Sequence, residues 1–145
     1  MRNTRGFTLI EILIVVGLIA ILAAAVIVAI NPGRQFSQTK NAQRTSNVNS
    51  ILNAVGQYMT DNSGNSPSSI TTTPTEICQT GATSCTNLAN LSVLTNNEIY
   101  LKSIPVDPSA STTNGTGYQV YKSTSGRITI HALGAELEQD ITISR

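Results

Sequence analysis

The sequence predicts an α+β protein in which a long N-terminal α-helix packs on a small antiparallel β-sheet. Residues 12–30 form an apolar run without a charged residue, which is typical of a membrane-spanning or fully buried helix. A second helical pattern follows over residues 48–59, where apolar side chains recur on one face. After residue 114, short alternating segments are separated by turn residues, which indicates antiparallel strands.

The composition limits what the protein can be. The chain has 145 residues, so we expect one domain and an anchor. Aromatic residues make up 4% and Trp is absent, so the core of a globular part is modest. The formal net charge of +1 lacks the basic bias of a dedicated nucleic-acid binder, and we predict no specific nucleic-acid partner.

Residues 7–30 are predicted to span a membrane. As a helix they reach ~36 Å, against a hydrocarbon core of ~30 Å. Sixteen of them are Leu, Ile, Val or Phe, and these favour insertion by about 5 to 10 kcal/mol. Glu11 opposes insertion by at most ~2.5–3.5 kcal/mol, so the segment inserts. The basic residues Arg2 and Arg5 precede it and are expected to stay in the cytoplasm.

A cleaved secretory signal peptide is the alternative interpretation of this region. Such a signal has an apolar stretch of about 7–15 residues, followed by a cleavage site of small residues. Here the small residues 23–25 lie inside the apolar run, and residues 26–28 continue it. The pattern therefore favours an anchor that stays in the mature chain.

The junction before the anchor reads Gly6-Phe7-Thr8-Leu9-Ile10-Glu11. Followed by a long apolar helix, it resembles the class III leader junction of type IV pilins and type II secretion pseudopilins. The resemblance implies that a prepilin peptidase cleaves between Gly6 and Phe7 and that Phe7 is then N-methylated. It also implies that Glu11 pairs with the N-terminal amine of a neighbouring subunit during assembly.

The physical setting of Glu11 agrees with this assembly role. Cleavage would create a cationic amine at Phe7, and a carboxylate in a low-dielectric environment is costly until it has such a partner. Pairing between subunits would then favour one axial register and penalise others. The alternative is that Glu11 only extends towards the membrane interface.

The helix is expected to continue over residues 31–60, with a kink or short melted stretch at Asn31-Pro32-Gly33. An Asn- and Gln-rich polar face disfavours the alternative of a free helix on the membrane surface. Asn62 or Gly64 is the expected left-handed cap at its end. Three basic residues, Arg34, Lys40 and Arg44, precede the apolar stripe and are expected along the filament helix. The stripe itself consists of Val48, Ile51, Leu52, Val55, Tyr58 and Met59.

Residues 61–145 are predicted to form an extracytoplasmic head, beginning with a surface loop over 61–75 that wraps the helix. A linker between independent domains is the alternative interpretation of this loop. The two cysteines, Cys78 and Cys85, predict one disulfide, with free thiols as the alternative. If chain entropy alone is considered, a disulfide that closes so small a loop would contribute roughly 2–3 kcal/mol to the free energy of unfolding. A zinc site is disfavoured because His131 is the only histidine.

The remainder of the head is predicted to contain a short helix over residues 87–95, turns at Asn114-Gly115 and Gly117, and strands over 118–121, 127–133 and 140–144. Residues 136–138 are expected to extend the second strand. The expected core positions are Val120, Ile128, Ile130, Leu133, Ile141 and Ile143.

The turn Ile104-Pro105-Val106-Asp107-Pro108 before the strands is similar to the heads of major type II secretion pseudopilins and of many small pilins. No Trp follows Asp-Pro here, and the dense acidic loop of the pseudopilin calcium site is absent. We therefore predict no metal or other cofactor. The downstream acidic residues that could serve as calcium ligands are Asp107, Glu136, Glu138 and Asp140.

The sequence predicts a filament subunit and not an enzyme, since no nucleophile, base or phosphate loop has a suitable partner. Three hypotheses remain: a type IV pilus subunit, a type II secretion major pseudopilin, and a single-pass surface protein that never polymerises.

The expected partners are other copies in a helical homopolymer, the prepilin peptidase, an inner-membrane assembly platform and the membrane before assembly. The head would lie outside the cytoplasmic membrane, and later in an extracellular or periplasmic filament. The predicted segments are a leader (1–6), a membrane and filament-core helix (7–30), its amphipathic continuation (31–60) and the head (61–145).

Overall fold

The computed structural model describes residues 6–145. The chain divides into two compact units, one that ends at Phe36 and one that spans Ser37–Arg145. We describe each unit by itself.

The first unit contains helix α1, Leu9–Ile30. Sixteen of the residues from 7 to 30 are large and apolar, and none of the 22 residues of α1 is buried. Among the described residues, α1 is the one helix that is long and apolar enough to cross a membrane. The predicted apolar helix is therefore present, and its own chain leaves it uncovered.

The helix is interrupted at a single residue, Asn31, which has a left-handed backbone with φ 47° and ψ 77°. Asn tolerates this conformation better than most residues. Helix α2, Pro32–Asp61, then begins directly with the proline. The interruption lies within the stretch 31–33 where a kink or short melted stretch was expected, at Asn31 and not at Pro32. At the first position of a helix, proline lacks only an N–H that would have no helical partner, so it starts α2 without a penalty.

Helix α2 buries the predicted apolar stripe in the second unit. Val48 and Ile51 are fully buried, and Tyr58 and Met59 pack at the margin of the core. After α2 the left-handed residues are Ser63 and Gly64, so Gly64 was predicted correctly and Asn62 was not. The N–H of Gly64 donates to the carbonyl oxygen of Met59 at 2.7 Å, which satisfies one of the last carbonyl groups of the helix.

The head contains a four-stranded antiparallel sheet in the order β1-β2-β3-β4. This architecture confirms the predicted α+β class. The first strand was not predicted, since it lies at the end of a stretch that reads as loop. The strands are β1 Thr75–Cys78, β2 Gly115–Lys122, β3 Ile128–Ala132 and β4 Thr142–Ser144.

The predicted helix over residues 87–95 is absent and is replaced by two short 3₁₀ turns, Ser92–Leu94 and Asn96–Glu98. The reason is that Ala89 pairs with Ile77 of β1 in an isolated parallel bridge. Extended pairing at Ala89 is incompatible with helical backbone. Leu91 and Leu94 are still buried, so the leucine spacing reflected burial and not a helix.

Three further expectations for the head were wrong. Leu137 and Glu138 have positive φ values of 59° and 56°, so residues 136–138 form a turn and do not extend β3. Leu133 is 49% exposed, because it lies just beyond the end of β3. Gly117 lies within β2 and not in a turn; its φ is +81°, and a Cβ there would lie 2.8 Å from the Cβ of Asp107.

The head has one hydrophobic core between α2, the loop after it and the sheet. The predicted core positions Val120, Ile128, Ile130 and Ile141 belong to it, and Ile143 packs against its edge. The loop residue Ile70 joins the same core, which ties the segment after α2 to the head. The other buried members are Val48, Ile51, Leu52, Ala54, Val55, Ile77, Ala89, Leu91, Leu94, Ile104, Tyr118 and Ala132.

A buried ion pair connects α2 to the turn before β2. The Nε atom of Arg44 lies 2.7 Å from Oδ2 of Asp107, and Nη2 lies 3.1 Å from Oδ1. Both side chains are fully buried. Arg44 also donates to Asn41 Oδ1 at 2.8 Å and to Ser109 Oγ at 2.6 Å. Arg44 lies along the helix as expected, and its side chain is buried in the core.

The pKa of Asp107 lies below its ordinary value. Burial raises this pKa, but hydrogen bonds from Arg44 and from the backbone N–H groups of Ser109 and Ala110 outweigh burial. Hydrogen bonding to Asp107 likewise raises the pKa of Arg44. Both groups are thus charged at neutral pH, and each satisfies the other's hydrogen-bonding groups in the core.

We expect Asp107→Asn to destabilise the head by about 3–5 kcal/mol, because it leaves the Arg44 cation buried without a counter-charge. Lys40→Ala is the matched control: its partly exposed pair with Glu136 spans 3.1 Å and contributes less than about 1 kcal/mol. Urea unfolding of the full chain in detergent micelles, followed by the near-ultraviolet circular dichroism of the tyrosines, measures both. Equal stability of the two variants would contradict this expectation.

The pH dependence has a definite sign. A carboxylate whose pKa is lower in the folded state contributes stability that is fully present above its unfolded pKa and is lost as the pH falls through the folded pKa. The wild-type head should therefore lose stability below the ordinary titration range of aspartate. Asp107→Asn should lack this part of the acid sensitivity, which the same unfolding measurement tests at a series of pH values.

Candidate processing and assembly segment

The residues predicted for cleavage and methylation lie just before α1. Gly6, Phe7 and Thr8 are outside any helix or strand, and all three are exposed. The Phe7 side chain is 86% exposed. A Cβ built at Gly6 would meet no atom within 4 Å, so neither residue is shielded by neighbouring atoms. A backbone of this kind is accessible to a peptidase without prior unfolding.

Glu11 closes the first turn of α1 through a capping box. Its Oε2 atom accepts from the backbone N–H of Thr8 and from the Thr8 hydroxyl, each at 2.8 Å. In return the backbone N–H of Glu11 donates to Thr8 Oγ1 at 3.3 Å. Two N–H groups that lack helical partners are thereby satisfied. The pattern Thr8-x-x-Glu11 is the sequence signature of this cap, and it identifies Thr8 as a residue that the sequence reasoning missed.

The capping box places the carboxylate of Glu11 at the exposed start of α1. The positive end of the helix dipole lies there, and it stabilises a negative charge. Glu11 therefore has a structural role within its own chain, in addition to any role between chains. A test of its predicted assembly role has to separate the cap from the charge.

The two cysteines of the head are joined in the structure. Cys78, at the end of β1, and Cys85 form a disulfide with an S–S distance of 1.99 Å and a Cα–Cα distance of 5.5 Å. That Cα separation is in the usual range for such bonds. Cys78 is buried and Cys85 lies in the loop that follows β1, so the bond fastens this loop to the sheet.

Two of the acidic residues considered as calcium ligands, Asp107 and Glu136, meet at the Arg44 guanidinium, at 2.7 and 3.5 Å. Within residues 6–145, no group of three or more His, Cys, Asp or Glu side chains is placed to hold a metal ion. The Arg44 guanidinium occupies the position beside Asp107 that a cation would take, and Lys40 contacts Glu136. His131 lies 3.7 Å from Asp140 and is partly exposed.

Comparison with known proteins bears on the N-terminal segment. Residues 1–27 match the family model described as the prokaryotic N-terminal methylation motif. The chain carries a prepilin leader. This motif is the class III leader of type IV pilins and pseudopilins, and it points to a structural subunit. It also implies processing by a prepilin peptidase and polymerisation. A search of curated proteins found no match to the chain, and a search of solved structures found none either.

We expect the Cys78–Cys85 bond in protein taken from the extracytoplasmic side. Alkylation under denaturing conditions without a reductant should leave the mass unchanged, whereas prior reduction should add two labels. The Cys78→Ser, Cys85→Ser double variant is the control and should take up no label in either case. Two labels on the unreduced wild-type protein would show free thiols and would contradict the bond.

Proposed function

We propose that the protein is the structural subunit of a type IV pilus-like filament. The observation that carries the proposal is a prepilin methylation motif over residues 1–27, joined to an apolar helix, Leu9–Ile30, of which the chain buries no residue. A motif for processing and an uncovered helix have one common explanation, in which the processed helix is later covered by other copies of the chain.

The first step is processing by the prepilin peptidase at the membrane. Hydrolysis of the Gly6–Phe7 peptide bond releases the leader and leaves a free amine at Phe7, which is then N-methylated. The exposure of Gly6 and Phe7, before the first turn of α1, supports access to this bond. The amine is protonated near neutral pH, so cleavage creates a cation four positions before Glu11 in the same chain.

The second step is assembly, in which Glu11 of one subunit pairs with the Phe7 amine of another. At a separation of ~4 Å and an effective dielectric constant of ~20, two unit charges attract by about 4 kcal/mol. A subunit that docks in the wrong axial position leaves both charges unpaired in an apolar environment, so the pair selects one register.

The location follows from the same helix. Before assembly, lipid covers α1 in the cytoplasmic membrane and the head lies on the far side from the leader. During assembly an inner-membrane platform would move α1 from lipid to a core formed by other α1 helices. In this proposal the apolar side chains stay covered throughout, and only their neighbours change.

We expect both Glu11→Val and Glu11→Gln to enter the membrane and to reduce filament yield at least about tenfold. Glutamine keeps the capping box, because it can accept from Thr8 as glutamate does, but it lacks the negative charge. Valine removes both. Counting filaments by electron microscopy, with membrane levels measured by immunoblot, gives the result.

The comparison between these two variants separates the roles of Glu11. If Glu11 acted only as a helix cap, the Glu11→Gln variant would assemble normally and the Glu11→Val variant would not. That result would contradict the proposed pairing between subunits. Thr8→Val is the converse control, since it removes the hydroxyl of the cap and keeps the carboxylate. That variant should assemble with at most a modest loss.

A pseudopilus of a type II secretion system is the second candidate, because the same leader motif occurs in pseudopilins. Long surface filaments that contain the protein favour the pilus. The pseudopilus is favoured if a strain without the gene still has its surface filaments but accumulates normally exported proteins in the periplasm. An uncleaved chain in cells would instead favour a surface protein that does not polymerise.

A further inference from the structure

Three cations meet at one end of the sheet in the head. Lys122 ends β2 and pairs with Ile128 at the start of β3. Arg145 directly follows β4 and exchanges two backbone hydrogen bonds with Ile128, at 2.7 and 2.9 Å. Arg127 is exposed in the turn between the two strands. In the part of the chain that the structure describes, none of these three side chains forms an ion pair. We name Lys122, Arg127 and Arg145 the basic end.

The opposite end of the sheet is acidic. Glu136, Glu138 and Asp140 lie in the connection from β3 to β4, beyond Ala132. Glu136 is compensated by Lys40. Glu138 is exposed and has no ion pair among the described residues, and the Asp140 side chain is 78% exposed. We name Glu136, Glu138 and Asp140 the acidic end.

The two ends lie too far apart to neutralise each other. The five residues of β3 span ~17 Å. Helix α2 gives the same separation: Asn41 donates to the backbone oxygen of Glu136 at 2.7 Å, and Asn53 accepts from the Arg145 side chain. Asn41 and Asn53 lie twelve positions apart along α2, which corresponds to ~18 Å. Exposed charges are screened beyond ~8 Å at physiological ionic strength, so each end presents its own charge to a partner.

We propose that the basic end of one head docks on the acidic end of the head of a second copy of this chain. This inference rests on the proposed filament. Copies in a helical homopolymer are equivalent, so α2 points the same way along the filament in each of them. Heads stacked along the direction of α2 then bring the basic end of one, beside Asn53, to the acidic end of the next, beside Asn41.

A contact of this kind uses two different surfaces of the same molecule. Such head-to-tail contacts do not close on themselves as a symmetric dimer does, and they extend into an open polymer. Exposed charge pairs contribute more to orientation and to the rate of docking than to affinity. Lys122 and Arg127 would therefore orient each incoming head opposite Glu138 and Asp140, while the apolar helices supply most of the affinity.

The experiment is a charge swap in the full chain. The first variant carries Lys122→Glu and Arg127→Glu, the second carries Glu138→Lys and Asp140→Lys, and the third carries all four changes. We expect the first two to reduce filament yield at least about tenfold, because like charges then face each other across the contact. The third restores attraction with reversed signs, so its yield should return to within about threefold of wild type.

The controls use charges outside both ends. Lys102 and Glu98 are exposed, and Lys102→Glu and Glu98→Lys should leave filament yield unchanged. Circular dichroism of each variant in detergent checks that the head is folded. Glu11→Val reports on the proposed function separately, because it acts at the membrane helix and not at the head.

Two outcomes would overturn the inference while leaving the filament intact. The first is normal assembly of both double variants, or failure of the four-fold variant to recover. The second is normal assembly of the Lys122→Glu, Arg127→Glu variant with loss of binding to duplex DNA, which would assign the basic end to a polyanion. Absence of filaments in the wild type would instead overturn the proposed function, and this inference with it.

Discussion

The apolar surface of α1 is the constraint on which the rest of the molecule depends. No residue of Leu9–Ile30 is buried by the chain itself, so lipid or other protein has to cover this helix at every stage. The prepilin leader directly before α1 agrees with a helix that is surrounded first by the membrane and later by other subunits. The head needs no such cover, because it has its own core and its own disulfide.

Within the head, α2 is held by two kinds of contact that act together. The apolar stripe of α2 packs on the sheet, which stabilises the contact without fixing its position along the helix. The Arg44–Asp107 pair fixes where along α2 the head packs, because a buried guanidinium and a buried carboxylate are tolerated only when they meet. Gly117 makes room for the Asp107 turn, because a side chain there would collide with it. The ends of the head are thereby fixed relative to α2.

The sequence predicted those parts of the structure that depend on local patterns. The stripe from Val48 to Met59 and the alternation in β2 and β3 repeat with the period of a helix or a strand, so neighbouring residues suffice to identify them. The Arg44–Asp107 pair joins residues 63 positions apart, and β1 is recognisable as a strand only beside β2. Asn31 illustrates a third case: Pro32 marked the interruption, but the left-handed residue is the asparagine before it. At the N-terminal segment, the motif predicted Gly6, Phe7 and Glu11, whereas the cap formed by Thr8 emerged from the structure.

The pairing of Glu11 with a neighbour's N-terminus is the central claim, and a density map of isolated filaments at side-chain resolution tests it most directly. We expect chains that begin at a methylated Phe7, with the nitrogen of that residue within about 4 Å of a Glu11 carboxylate oxygen of an adjacent subunit. A filament whose subunits retain residues 1–6, or whose Glu11 carboxylates contact only Thr8 of their own chain, would contradict it.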